Sequence, residues 1–277
     1  MRAALIQLNA GDQPLKNLPV TERFIREAVS RGAGFVLTPE VTNIVSTSTR
    51  HQQDILWFED SDPTLERLRH LADELKIWLL VGSLALKTRY GDGRLVNRSL
   101  LIAPDGSIRA RYDKIHMFDV EISAAETWRE SEGFLPGERA VLADTSFARV
   151  GMTICYDLRF AHLHRALAQA GADILSVPAA FSPVSGAAHW HVLLRARAIE
   201  TGCYVLAPAQ CGDHAIPRGR PRSTYGHSLA VDPWGKVLAD GGTEPGVILV
   251  DLDRSEVARA RARIPSLKHD RPYSGPS

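Results

Sequence analysis

Short apolar runs and helical stripes of apolar residues alternate along this chain. Ala3 to Leu8 reads as a buried strand, and Pro14 to Ser30 carries Leu18, Ile25, Ala28 and Val29 at helical spacing, closed by Gly32 and Gly34. Phe35 to Thr38 is a further short strand. Ser61-Asp62-Pro63 then supplies a cap and a first-turn proline to a helix bearing Leu65, Leu68, Leu71, Ala72 and Leu75, and Ile77 to Leu86 is an apolar strand run. The turns Gly91-Asp92-Gly93 and Pro104-Asp105-Gly106 bracket antiparallel strands at Asn97 to Ala103 and Ser107 to Tyr112. A loop-rich stretch runs from His116 to Arg139. The alternation then resumes, with strands at Arg149 to Ile154 and Asp173 to Val177 and helices near Leu163 to Ala170 and Ala187 to Thr201. Further strands lie at Tyr204 to Ala207, Ser228 to Val231 and Val247 to Val250.

Apolar strands alternating with amphipathic helices imply an α/β core, and the hairpins make its sheets mixed. The pattern has no linker, low-complexity run or internal repeat. It is read as one domain over residues 1–253, followed by a C-terminal helix and extended tail over 254–277 that pack on the domain or on a partner subunit. The tail proper begins near Lys268.

Composition narrows the partners. Of the 277 residues, 44% are hydrophobic, enough for a large core, and 33 basic against 32 acidic residues leave a formal charge of +1. No global field exists to hold nucleic acid or an anionic membrane, so a small molecule is expected. No run approaches the ~20 apolar residues of a membrane span, and the opening MRAALIQLNA is too soon broken for a signal peptide, so a cytoplasmic location is expected. Three cysteines, at 155, 203 and 211, form neither a disulfide framework nor a CxxC.

Three polar residues end strands, where catalytic groups of α/β folds gather: Glu40 in LTPEV, Lys114 in YDKIHMFD and Cys155 in GMTICYDLRF. Cys155 leaves an apolar strand where the chain turns toward a helix, a place that exposes a nucleophile and offers a backbone N–H to an oxyanion. An ammonium nearby favours a thiolate, a role open to Lys114. Each residue alone is equally compatible with a buried cysteine, a surface lysine and a solvated carboxylate.

Together, in this order, they resemble the nitrilase superfamily of carbon–nitrogen hydrolases. The resemblance spans roughly Met1 to Asp253. AHWHVLLRARAIETGCYVLAPAQCGDH and YGHSLAVDPWGKVLAD are similar to the branch holding deaminated glutathione amidases and omega-amidases. It implies a four-layer αββα sandwich that assembles into homodimers or larger homo-oligomers. It also implies Glu40 as the proton-transferring group, Cys155 as nucleophile, and an oxyanion held by Lys114 and the Tyr156 backbone N–H, with no metal or organic cofactor. Aligning RESEGFLPG places a second carboxylate at Glu130, with Glu126 and Glu132 as alternatives. Arg159 is a candidate for bidentate binding of a substrate carboxylate, or else for a salt bridge to Asp157 or Glu200. Phe181 and His189-Trp190 resemble pocket walls. Ala161, His162, His191 and the VTNIVSTSTR loop depart from the family pattern. The implied reaction is hydrolysis of a small carboxamide, deaminated glutathione to 2-oxoglutarate and cysteinylglycine, with an omega-amidase acting on 2-oxoglutaramate-like acids as the alternative.

Other chemistries find less support. The ten histidines contain no HExxH, and the pairs 162/164 and 189/191 point to different faces of helices. Ser228 lacks the glycine pattern of a nucleophile elbow, and no phosphate-binding loop occurs. A non-catalytic scaffold of the same fold would not need Glu40, Lys114 and Cys155 together.

Overall fold

A computed structural model describes residues 1–123, 126–217 and 219–275. Two sheets stack face to face between helices. In the first, the order is Gly246–Asp251, Arg2–Gln7, Phe35–Leu37, Trp78–Leu86, Leu95–Ile102 and Ile108–Asp113, with Phe134–Leu135 paired to Leu95–Ile102. In the second it is Val237–Asp240, Leu229–Val231, Tyr204–Ala207, Ile174–Ser176, Arg149–Met152 and Val141–Asp144. Each sheet has three parallel strands at its heart and antiparallel strands at its edges.

The period-2 alternation of the strands builds the layers. Leu5, Leu37, Leu80 and Leu101 face inward and share a core with Val150, Met152, Leu175 and Val205 of the second sheet. Their neighbours Ala4, Ile6, Val36 and Leu79 face outward, against helices α1 (Pro14–Ser30) and α3 (Pro63–Leu75) through Ile25, Leu68 and Leu71. Between these helices in sequence lies the short α2 (Thr49–Ile55). Helices α4 (Ala161–Gln169) and α5 (Pro183–Thr201) cover the second sheet, and α6 (Ser255–Arg263) follows the last strand. This is the αββα sandwich.

Several local features differ from the pattern reading. The loop-rich stretch contains a hairpin, Asp119–Ser123 with Glu126–Arg129, whose alternation is masked by charged residues on a half-exposed surface. Helix α2 starts inside the polar loop after Glu40, nucleated by Ser48, whose side chain accepts the His51 N–H. Helix α5 begins at Pro183 rather than Ala187, because proline fits a first helical turn. Residues 269–275 of the expected tail carry no regular structure, and residues 276–277 lie outside the described residues.

Candidate active site

Glu40, Lys114 and Cys155 lie beyond the carboxyl ends of Phe35–Leu37, Ile108–Asp113 and Arg149–Met152, and all three line one cavity of about 310 Å³. Their side chains are almost fully enclosed. Glu40 comes from the first sheet and Cys155 from the second. What brings them together is close backbone approach. At Gly82 a Cβ would stand 2.0 Å from Thr38 O and 2.5 Å from Pro39 O, so only glycine lets the Thr38-Pro39-Glu40 segment cross this strand.

Both oxygens of the Glu40 carboxylate are held. Oε1 accepts from Lys114 Nζ at 3.0 Å and from Asn97 Nδ2 at 2.9 Å, while Oε2 accepts from the Ala180 backbone N–H at 2.8 Å. Lys114 Nζ also donates to Glu130 at 2.9 and 2.8 Å, and Glu130 Oε2 accepts from the Phe118 N–H at 2.7 Å. Of the three loop glutamates, Glu130 is therefore the one that reaches the lysine. Glu126 accepts from the Trp128 indole, and Glu132 sits at the exposed rim of the same cavity.

Cys155 opens a short 3-10 turn, Cys155–Arg159, with φ +48°, a left-handed conformation that L residues adopt at a cost. Asp157, wholly buried, holds that turn: its carboxylate accepts from Tyr112 OH (2.6 Å), the Ile154 N–H (2.8 Å) and the His116 N–H (3.1 Å), and contacts His116 Nδ1 at 2.7 Å. The Cys155 N–H donates to Pro178 O at 2.9 Å. The start of such a turn leaves backbone N–H groups without intrahelical acceptors, and Tyr156 supplies one of them.

The charge states follow from burial and neighbours. Burial pushes the Cys155 thiol up and the Glu40 carboxylate adds to this, so despite Lys114 the thiol stays well above the ordinary 9.0. For Glu40, burial works upward, but Lys114 and a hydrogen bond from the thiol win, and its pKa lies below the usual carboxylate value. Burial likewise works to lower Lys114, and Glu130 and Glu40 overcome it. Two carboxylates share the Lys114 charge, and its pull on the thiol is outweighed by burial and by Glu40. The resting site is a neutral thiol facing an ionised Glu40 beside a fixed cation, an arrangement suited to general-base delivery of a sulfur nucleophile.

Phe181 lines the cavity, whereas Arg159 and His189 do not. Arg159 Nη2 meets His189 Nδ1 at 3.2 Å, and its guanidinium lies over the Tyr156 and Phe181 rings. Neither expected ion pair forms, because Glu200 is taken by Arg197 and Asp157 by Tyr112 and His116. Pattern reading missed Asn97, Asp157 and Ala180; each is an ordinary strand or turn residue until the fold places it. Among the described residues one set of potential metal ligands converges, His191, His227 and Asp240, through a tertiary pairing invisible to the i, i+2 reading. It is absent from the cavity lining.

Residues 2–262 match the carbon-nitrogen hydrolase family. The chain belongs to that family. A deaminated glutathione amidase from Yersinia enterocolitica is 40% identical to this hydrolase over 269 residues, covering 97% of this chain and 92% of that protein. The Bos taurus omega-amidase NIT2 is 36% identical over 270 residues, covering 98% and 95%. The crystal structure of the Caenorhabditis elegans NitFhit protein superposes with a TM-score of 0.89 at 36% identity, and the hydrolase, 98% covered, spans 65% of that chain. The nitrilase-superfamily fold and the amide-hydrolase class implied by the resemblance therefore hold for this chain.

Proposed function

We propose that this hydrolase is an amidase acting on a small linear carboxamide, with deaminated glutathione as the favoured substrate. The observation that carries the chemistry is the enclosed contact of Glu40, Lys114 and the Cys155 turn in one cavity. Glu40 takes the thiol proton as sulfur attacks the amide carbon, and the developing oxyanion is met by Lys114 and the Tyr156 N–H. Glu40 passes the proton to the leaving amine as the C–N bond breaks. Water, deprotonated by Glu40, then cleaves the thioester, and the proton returns to sulfur. Glu130, bound to both Lys114 and the Phe118 N–H, positions the ammonium throughout. No step calls on a metal or organic cofactor.

Deaminated glutathione rather than 2-oxoglutaramate is supported by the 40% identical Yersinia enterocolitica relative, named deaminated glutathione amidase. The test is steady-state hydrolysis of both compounds with Cys155→Ala as blank. Higher kcat/KM for deaminated glutathione is expected; preference for 2-oxoglutaramate would make the enzyme an omega-amidase, and turnover of neither would refute both substrates.

A homo-oligomer is supported by α5, where Val184, Val192 and Ile199 are more than half exposed and lie within about 80° of one another around the helix. Trp234 and Ile264 extend the exposed apolar surface, which suits a second copy of the chain. Among the described residues no helix is long and apolar enough to cross a membrane. The three buried, unpaired cysteines support a reducing, cytoplasmic setting.

A further inference from the structure

Two guanidinium groups converge in the wall of the reaction cavity, and among the described residues neither is held in a salt bridge. The Arg222 and Arg220 Cζ atoms lie 4.9 and 5.0 Å from the centroid of one indole, Trp128, and all three residues line the cavity with Cys155. Like charges on one ring repel, and the usual remedy is an acidic partner. Among the described residues none forms an ion pair with either arginine. The third cavity arginine differs: Arg129 is paired with Glu121. Of the cavity carboxylates, Glu40 and Glu130 are paired with Lys114, Glu40 also feels the Arg222 charge, and Glu132 stands at the exposed rim.

Both groups are held in place without being used up. Arg222 Nη2 donates to Ala180 O at 3.1 Å, and Arg220 Nη2 to Thr127 O at 3.1 Å, while Thr47 Oγ1 anchors the Arg220 carbonyl at 2.8 Å. A guanidinium has five N–H donors in a planar fork, so most remain for a ligand. Arg222 is also tied to the reacting groups, because Ala180, whose carbonyl it grips, donates its N–H to Glu40.

Resting on the amidase reading, we propose that Arg222, assisted by Arg220 across Trp128, is the group that binds the ionised carboxylate of the substrate and so sets its orientation in the cavity. This is the role expected of Arg159 from its position after the nucleophile; the structure turns Arg159 elsewhere and brings in Arg220 and Arg222 from about 60 residues farther on. The fork binds the carboxylate and the Trp128 face backs the cations, which restrains them before the ligand arrives.

The experiment separates binding from turnover. Calorimetry with glutarate, which has no amide to cleave, reads the anion site alone, in wild-type protein, Arg222→Met, Arg222→Lys and Arg220→Met. Glutarate Kd should rise at least tenfold in Arg222→Met and less in Arg220→Met, with Arg222→Lys between wild type and the methionine variant because it keeps charge and loses the fork. In parallel, the kcat/KM ratio of glutaramate to pentanamide, amides with and without a distal carboxylate, should fall at least tenfold in Arg222→Met, chiefly through KM. Equal glutarate affinity in wild type, Arg222→Met and Arg220→Met overturns the proposal; Arg220 is exposed, so its variant reports even if Arg222→Met fails to fold. Arginine-dependent glutarate binding with neither amide cleaved would support the anion site and count against the amidase reading.

Discussion

Lys114 is gripped by Glu130 through both carboxylate oxygens, at 2.9 and 2.8 Å, and in this enclosed site the pair acts as one unit. Lys114 favours the Cys155 thiolate, but burial and the Glu40 carboxylate outweigh it. Its remaining task is to meet negative charge that appears during the reaction.

Replacing Glu130 by Gln is therefore expected to lower kcat roughly 10²-fold, the usual cost of losing one preorganised electrostatic element. Lys114→Met is expected to lose at least as much. It also leaves the buried Glu40 and the partly buried Glu130 uncompensated, at a cost of about 3 kcal/mol in stability. The sign for pH follows: Lys114 holds the Glu40 carboxyl below its usual range, so stability from Glu40 is present above the unfolded value of 4.5 and lost as pH falls through the lower folded pKa. In Lys114→Met the acid limb of the kcat/KM profile moves to higher pH. Steady-state kinetics across pH with thermal melts check both; a Lys114→Met variant with unchanged kcat and only a raised KM would contradict the assigned role.

The raised thiol gives a second expectation. With a folded pKa above 9.0, the neutral form of Cys155 contributes stability that is complete below the unfolded pKa and is lost as pH rises through the folded one. The difference in thiolate absorbance between wild-type protein and Cys155→Ala should be absent at neutral pH and appear only on the alkaline side of 9.0. A thiolate signal already present at pH ~7, as in cysteines activated by a neighbouring cation, would mean that Glu40 is not needed to take the proton.

Gly82→Ala tests the backbone crossing that unites the two sheets' contributions. Its Cβ would meet Thr38 O at 2.0 Å, Pro39 O at 2.5 Å and Pro178 Cβ at 2.6 Å, none of them the end of a flexible side chain. Destabilisation of about 3 kcal/mol is expected from overpacking. Glu40 follows directly on the displaced segment, so kcat should fall at least tenfold in protein that is still folded by circular dichroism. A variant as stable and active as wild type would show that the segment moves freely.

By itself the sequence determined what is local or periodic. Two-residue alternation set which face of each strand is apolar, and helical stripes set which elements cover the sheets, because burial of apolar area dominates and repeats with the geometry of the backbone. Strand ends marked Glu40, Lys114 and Cys155 for the same reason, since side chains leaving the carboxyl ends of strands that run in one direction emerge at one edge of a sheet. Polar contacts do not repeat. Nothing in the spacing of Asn97, Asp157, Ala180, Arg220 or Arg222 reports that each has a partner 40 or more residues away along the chain. The choice of Glu130 over Glu126 and Glu132 rested on likeness until a short hairpin register aimed one carboxylate at Lys114. The tertiary structure also decided the electrostatics: the same Lys114 that favours a thiolate is shared between two carboxylates once the sheets close, and burial together with Glu40 keeps the Cys155 thiol well above 9.0.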